Sequence, residues 1–144
     1  MSGFIRPPII DLTTILGKDQ GLLALKMDIQ WHELSPELSV ATMPVEGNTQ
    51  TFGILHGGSF VVLGESMGSI AANVYAHHND LGVAVGIEVS ASHSGSGVSG
   101  FITGTCRALH LGRTLTTHEI VCTDEAGKRL STVRITNLIK HSRS

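Results

Sequence analysis

Charge is scarce in this chain. Charged residues make up 15% of the 144 and the formal net charge is −2, so there is no basic surplus to hold a nucleic-acid backbone. Cysteine is limited to Cys106 and Cys122, which fall in β-like runs and match no metal-ligand spacing. With no leader-like segment at the N-terminus, a reduced, cytoplasmic setting with both thiols buried is expected. Long uninterrupted apolar runs are missing as well. The longest is broken by Gly64, Glu65, Ser66, Gly68 and Ser69 and falls short of the roughly 18 residues that read as a membrane span. Aromatic residues are only 4% of the chain beside 17 glycines, and so weakly charged a surface suggests apolar area covered by a second subunit. The length suits one domain able to bury a core without staples.

Residues 1–21 read as an N-terminal arm, with Pro7-Pro8 as a break and a short helix over Asp11–Leu16 capped by Asp11. Residues 22–144 read as a single domain. The alternation from Leu25 to His32 predicts a half-buried strand, and Leu38–Met43 a second one after the Ser35-Pro36 turn. A long helix is expected from Gly57 to about Tyr75. Only strands follow it: Val83–Ser92, Val98–Leu109, Thr114–Thr123 and Arg129–Ile139. Ser94–Gly97 and Asp124–Gly127 are expected to be hairpin connections between them. One apolar helix followed by antiparallel strands predicts an α+β domain with the sheet curled around the helix.

Within Phe52–Ala76, Glu65 is the one charged residue among Asp, Glu, Lys and Arg. A helix apolar on nearly every face is normally enclosed, and a carboxylate buried there is expected to be paired, protonated or used chemically. Gln50 and His56 lie in the loop that enters the helix. Glu65 and Ser69 are four apart and share a face. Gly57 and Gly58 open the first turn, where N–H groups lack helical partners and the dipole is positive. Bare N–H groups there suit an oxyanion site. Each residue also has a plainer reading: His56 as a cap, Ser69 as a small residue bonded back to a carbonyl, the glycines as packing, and Glu65 as half of an ion pair. His77-His78 reads as a solvated helix end rather than a metal site.

The run from Gln50 to Ser69, with His56-Gly57-Gly58 followed by Glu65, closely resembles the signature of hotdog-fold acyl-CoA thioesterases. It is most similar to the branch hydrolysing aromatic acyl-CoA thioesters, such as hydroxybenzoyl-CoA and dihydroxynaphthoyl-CoA, in the phenylacetate-degradation-type superfamily. The likeness continues through Val85–His93, Cys106–Arg113 and Thr123–Leu130, and covers roughly Leu22 to Ile139. It implies a hotdog fold, an antiparallel sheet wrapped around one central helix. Glu65 would be the catalytic carboxylate, as nucleophile or as general base. The Gly57 N–H would polarise the thioester carbonyl, Gln50 and His56 would orient the thioester, and Ser69 would hold the attacking water.

The same resemblance implies that His93 lines the acyl or pantetheine channel, and the walls of the acyl pocket are expected from helix and loop residues such as Phe60, Val61 and Met67, together with the N-terminal arm. His110, Gly112 and Arg113 would lie near coenzyme A, with Arg113 as the phosphate partner. It implies a homodimer with shared active sites, pairing further into a homotetramer, and no cofactor or metal, coenzyme A being part of the substrate. Thr51 stands where relatives often have Pro, and Gly64 where Ala is common. Ser94–Gly100 lacks the basic residue that some relatives carry. Two other functions remain open to such a fold: an acyl-thioester hydratase or dehydratase, and a non-catalytic acyl-CoA-binding module.

Overall fold

The computed structural model describes residues 3–141. Its centre is α3 (Gly57–His78), preceded by α1 (Leu12–Leu16), α2 (Leu22–Lys26), β1 (Gln30–Leu34) and β2 (Leu38–Pro44). After it come β3 (Val83–His93), β4 (Phe101–Leu111), β5 (Leu115–Thr123) and β6 (Arg129–Lys140). The strands form one six-stranded antiparallel sheet in the order β1-β2-β4-β5-β6-β3, curled around the long helix. This is the hotdog fold.

The helix seats closely because two of its glycines, Gly64 and Gly68, face the sheet. A Cβ on Gly64 would lie 2.5 Å from Val133 Cγ1, and one on Gly68 would lie 2.1 Å from Ile135 Cγ2. Both contacts are far inside van der Waals distance, so the glycines set how near β6 comes to the helix backbone. Leu63, Met67 and Ala71 fill the rest of that face at 0% exposure. Met67 Sδ fits against Gly104 of β4, where a Cβ would stand 2.6 Å away. At the N-terminus of α1, Asp11 accepts a hydrogen bond from the Thr13 N–H at 2.9 Å, as the capping pattern predicts.

Two sequence expectations are corrected here. Leu25–His32 is not one strand: Leu22–Lys26 is a turn of helix, and the chain reverses at Asp28 with φ +58° before β1 begins at Gln30. Leu, Ala and Lys are strong helix formers, and they prevail locally over the alternation. The alternation is still visible in burial, since Met27, Ile29 and Trp31 are all in the core. Ser94–Gly97 is not a hairpin either, because β3 pairs with β6 and not with β4. The segment crosses the end of the sheet instead. Ser94 and Gly95 N–H groups donate to Leu130 O, and Leu55 N–H donates to Gly97 O. Asp124–Gly127 does join β5 to its neighbour β6.

β3 is left at the sheet edge, eleven residues long, with Val83 and Ile87 exposed. Residues 10–20 fold back on β1. Ile10 N–H donates to Trp31 O at 2.8 Å, Trp31 Nε1 donates to Gln20 Oε1 at 2.8 Å, and Leu12 enters the core. A cleft of about 310 Å³ between this segment and β1, lined by Ile9, Leu25 and Trp31, lies apart from α3.

Candidate active site

His56 is the N-cap of α3. Its extended backbone (φ −62°, ψ 132°) turns the ring back so that Nδ1 accepts the Gly58 N–H at 2.8 Å. That interaction assigns the tautomer: Nδ1 is the acceptor, so Nε2 carries the proton in the neutral ring. Glycine at 58 makes room for it, since a Cβ there would sit 3.0 Å from Nδ1. The loop before it is held by Asn48, whose Nδ2 donates to Met27 O and Pro44 O, each at 2.9 Å, and whose carbonyl accepts the His56 N–H. Gln50 begins a tight turn closed at Gly53 (φ +81°). Its side-chain oxygen accepts the Phe52 N–H, which leaves the amide NH₂ to donate outward.

Gly57 follows the cap. Among the described residues nothing accepts its N–H, as expected at the first helical position. The His93 ring lies over it, with Nε2 3.0 Å from where a Cβ would be. That ring is steadied by Ser131 Oγ, 2.8 Å from Nδ1, and by Phe60, whose centroid is 5.2 Å away. His56, Gly57, Phe60 and His93 therefore converge on one helix end.

Glu65 lies elsewhere on the helix. Every residue of α3 from Gly57 to Ala76 is buried or half-buried except Glu65, which is exposed. The expectation of a buried carboxylate is corrected: the helix is enclosed, but Glu65 is turned about 100° from Gly64, off the sheet-facing stripe. Along the axis it stands about 12 Å from Gly57. A carbonyl held about 3 Å from its donor and attacked from about 3 to 3.5 Å spans well under that distance. Ser69, one turn further on, is half-buried and its Oγ donates to Asn137 Oδ1 at 3.2 Å.

The remaining residues are more scattered. Val61 is half-buried, whereas Met67 is enclosed against Gly104, on the sheet side of the helix. His110 and Arg113 are exposed at the β4–β5 turn, which Tyr75 pins by donating toward Leu111 O and Gly112 O, each 3.1 Å away. Tyr75 is about 15 Å along the helix from Glu65 and about 27 Å from Gly57, so a single chain does not bring Arg113 to the helix N-terminus. Sequence reasoning missed Asn48, Ser131 and Asn137. The last two act across 38 and 68 residues of chain, and no local spacing announces such partners.

Residues 52–131 match the Thioesterase superfamily, more than half of the chain. The chain belongs to that superfamily. A proofreading thioesterase EntH from Cronobacter turicensis is 41% identical over 120 residues, 83% of this chain and 86% of that protein. The 1,4-dihydroxy-2-naphthoyl-CoA hydrolase of Escherichia coli K12 is 35% identical over 131 residues, 90% of this chain and 95% of that one. Among solved structures, a variant of thioesterase PA1618 from Pseudomonas aeruginosa superposes with a TM-score of 0.83 at 31% identity, covering 96% of this chain and 99% of that one. The enzyme is accordingly a thioester hydrolase. No helix among the described residues is long and apolar enough to cross a membrane.

Proposed function

We propose that this thioesterase hydrolyses an aromatic or otherwise bulky acyl-CoA to the free acid and coenzyme A, at sites shared between two copies of the chain. The observation that carries the reading is Glu65, the one exposed residue between Gly57 and Ala76 of an otherwise covered helix. The Gly57 N–H of one subunit takes the thioester carbonyl oxygen, with the dipole of a 22-residue helix behind it. Gln50 and His56 of that subunit, each with an N–H to donate, orient the thioester. Glu65 of the other subunit acts as general base on water or as nucleophile, and its Ser69 holds the water. As base, Glu65 takes a proton from the water whose oxygen bonds to the acyl carbon; as nucleophile, its carboxylate oxygen bonds there instead, giving an acyl anhydride that water then hydrolyses to the free acid. In either case the C–S bond breaks and the thiolate leaves to be protonated.

Two features support the shared site. The 12 Å between Gly57 and Glu65 within one chain is longer than the reaction needs. The edge strand β3, with Val83 and Ile87 bare, is of a kind that folded proteins ordinarily cover or pair. A second β3 seated there would extend the sheet, and two such dimers could associate as a homotetramer. His93, Phe60 and Val61 form the wall for the acyl group, with Met67 behind them. His110 and Arg113, exposed at the far end of the helix, and the half-buried Gly112 between them meet the nucleotide portion of coenzyme A. The aromatic acyl group is supported by the sequence resemblance and by a relative named for a naphthoyl-CoA.

Mixing two inactive variants tests the shared site. Glu65→Gln and His56→Ala should each be nearly inactive alone. Co-expressed as heterodimers they should regain activity, because one of the two sites then carries Glu65, Gln50 and His56 intact. Confirmed heterodimers that stay inactive would place each site within a single chain.

A further inference from the structure

Beneath the exposed face of α3 lies a polar arrangement that this reaction scheme leaves unused. Asn137 of β6 is fully buried, at 0% exposure. Its Nδ2 donates to Gly68 O at 3.4 Å, and its Oδ1 accepts from Ser69 Oγ at 3.2 Å. The chemistry of the partners assigns the amide without ambiguity. A main-chain carbonyl can only accept, so the NH₂ must face Gly68 and the oxygen must face Ser69. A carboxamide oxygen can only accept as well, so the single hydrogen of Ser69 is committed to Asn137. What remains on Ser69 Oγ is acceptor capacity alone.

That oxygen is within reach of the outside. Ser69 is half-buried and sits one turn beyond Glu65 on the same side of the helix. Over the pair lies Gly86 of β3, itself exposed, where a Cβ would come 3.6 Å from Asn137 Oδ1 and 3.7 Å from Ser69 Oγ. With glycine there, no side chain from residue 86 covers the two oxygens.

We propose that Asn137 is a positioning residue that sets the direction in which the attacking water is held. Held as an acceptor, Ser69 takes one hydrogen of the water while Glu65 takes the other, and a water lone pair is left to face the acyl carbon. A serine hydroxyl free to rotate would also donate to the water oxygen, tying up the lone pair that must attack. The step is otherwise the one already described. The water oxygen bonds to the acyl carbon, its proton passes to Glu65, and the C–S bond breaks with the electron pair leaving on sulfur. The inference rests on the assignment of Glu65 and Ser69 under the proposed function.

The test is a double-mutant cycle on kcat and KM by thiol release, using Ser69→Ala, Asn137→Leu and the pair combined. Leucine keeps the branching and heavy-atom count of the asparagine side chain and removes its acceptor. Asn137→Leu should lower kcat about tenfold, the scale of one neutral hydrogen bond, and leave KM nearly unchanged. In the Ser69→Ala background it should have no further effect on kcat, because its action passes through that hydroxyl. A merely structural asparagine would lower activity equally in both backgrounds, and that result overturns the proposal. So does wild-type kcat in Asn137→Leu while Ser69→Ala is impaired. Wild-type kcat in Ser69→Ala removes the role of Ser69 itself and the proposal with it, so the two failures are told apart. Should Asn137→Leu not fold, the same cycle is run with Asn137→Thr, whose shorter side chain does not span the gap to Ser69.

Discussion

Replacing Gly68 by alanine sets two effects of opposite sign against each other. In an exposed helix interior the change would be favourable by about 1 kcal/mol, since alanine loses less backbone freedom than glycine. Here the new methyl would stand 2.1 Å from Ile135 Cγ2, more than an ångström inside ordinary carbon–carbon contact. Ile135 is β-branched, fully buried and in the middle of β6, so its χ1 has little freedom to yield. Forcing an extra methyl into a packed core costs typically about 1 to 3 kcal/mol. With a contact this short the steric term should win, for a net loss of up to about 2 kcal/mol. Gly64→Ala, at 2.5 Å from Val133 Cγ1, should lose stability for the same reason. Gly86→Ala, whose nearest neighbour would be 3.4 Å away, serves as the contrast and should change stability little. Urea unfolding followed by circular dichroism gives the three midpoints. A Gly68→Ala midpoint equal to or above wild type would refute the claim that these glycines set the helix–sheet distance.

Two further expectations concern buried titrating groups. His118 is fully buried, with Nε2 2.8 Å from Pro36 O and, among the described residues, no partner for Nδ1. Burial holds its pKa below the usual histidine value, against the opposing pull of the Pro36 carbonyl and Glu37. The unfolded chain takes up a proton near pH 6.5 that the folded chain refuses, so stability present above that pH is lost as pH falls through it. His118→Gln should therefore lose less stability between pH 7.5 and 5.5 than wild type, and equal losses would count against the assignment. Cys106 and Cys122 are both pushed up to about 12 by burial, so neither is a thiolate at working pH. A chromogenic disulfide reagent at pH 8 should find no protein thiol in the native enzyme and two per chain in denaturant. A fast native signal would contradict the packing around them.

The parts legible in the sequence are those whose cause is local. The long helix is announced by an apolar run opened by Gly57-Gly58, the α1 cap by Asp11 two residues before Thr13, and the β5–β6 hairpin by Asp124–Gly127. Where two local signals disagree, as over Leu22–Trp31, helix propensity shaped the backbone and alternation shaped the burial. The path of Ser94–Gly97 could not be read at all. Whether a Gly-Ser turn makes a hairpin or a crossover depends on which distant strand β3 pairs with, and that is decided by β6. The site divides the same way. Gln50, His56, Gly57 and Glu65 lie within 16 residues and carry their own chemistry. Asn48 and Asn137 matter only through where the fold puts them, and Met67 looks like a pocket wall until the helix is seen to turn it toward Gly104.

The most direct measurement is thiol release from an aromatic acyl-CoA by Glu65→Gln beside wild type. The amide is nearly isosteric with the carboxylate and sits at an exposed position, so fold and ligand binding should be retained. It can act neither as base nor as nucleophile, and kcat should fall at least about 10²-fold, the usual scale for removing a positioned acid–base group. Loss of turnover with binding intact is the predicted result. Near-normal turnover in Glu65→Gln would contradict the account at its centre and leave Glu65 an ordinary surface glutamate.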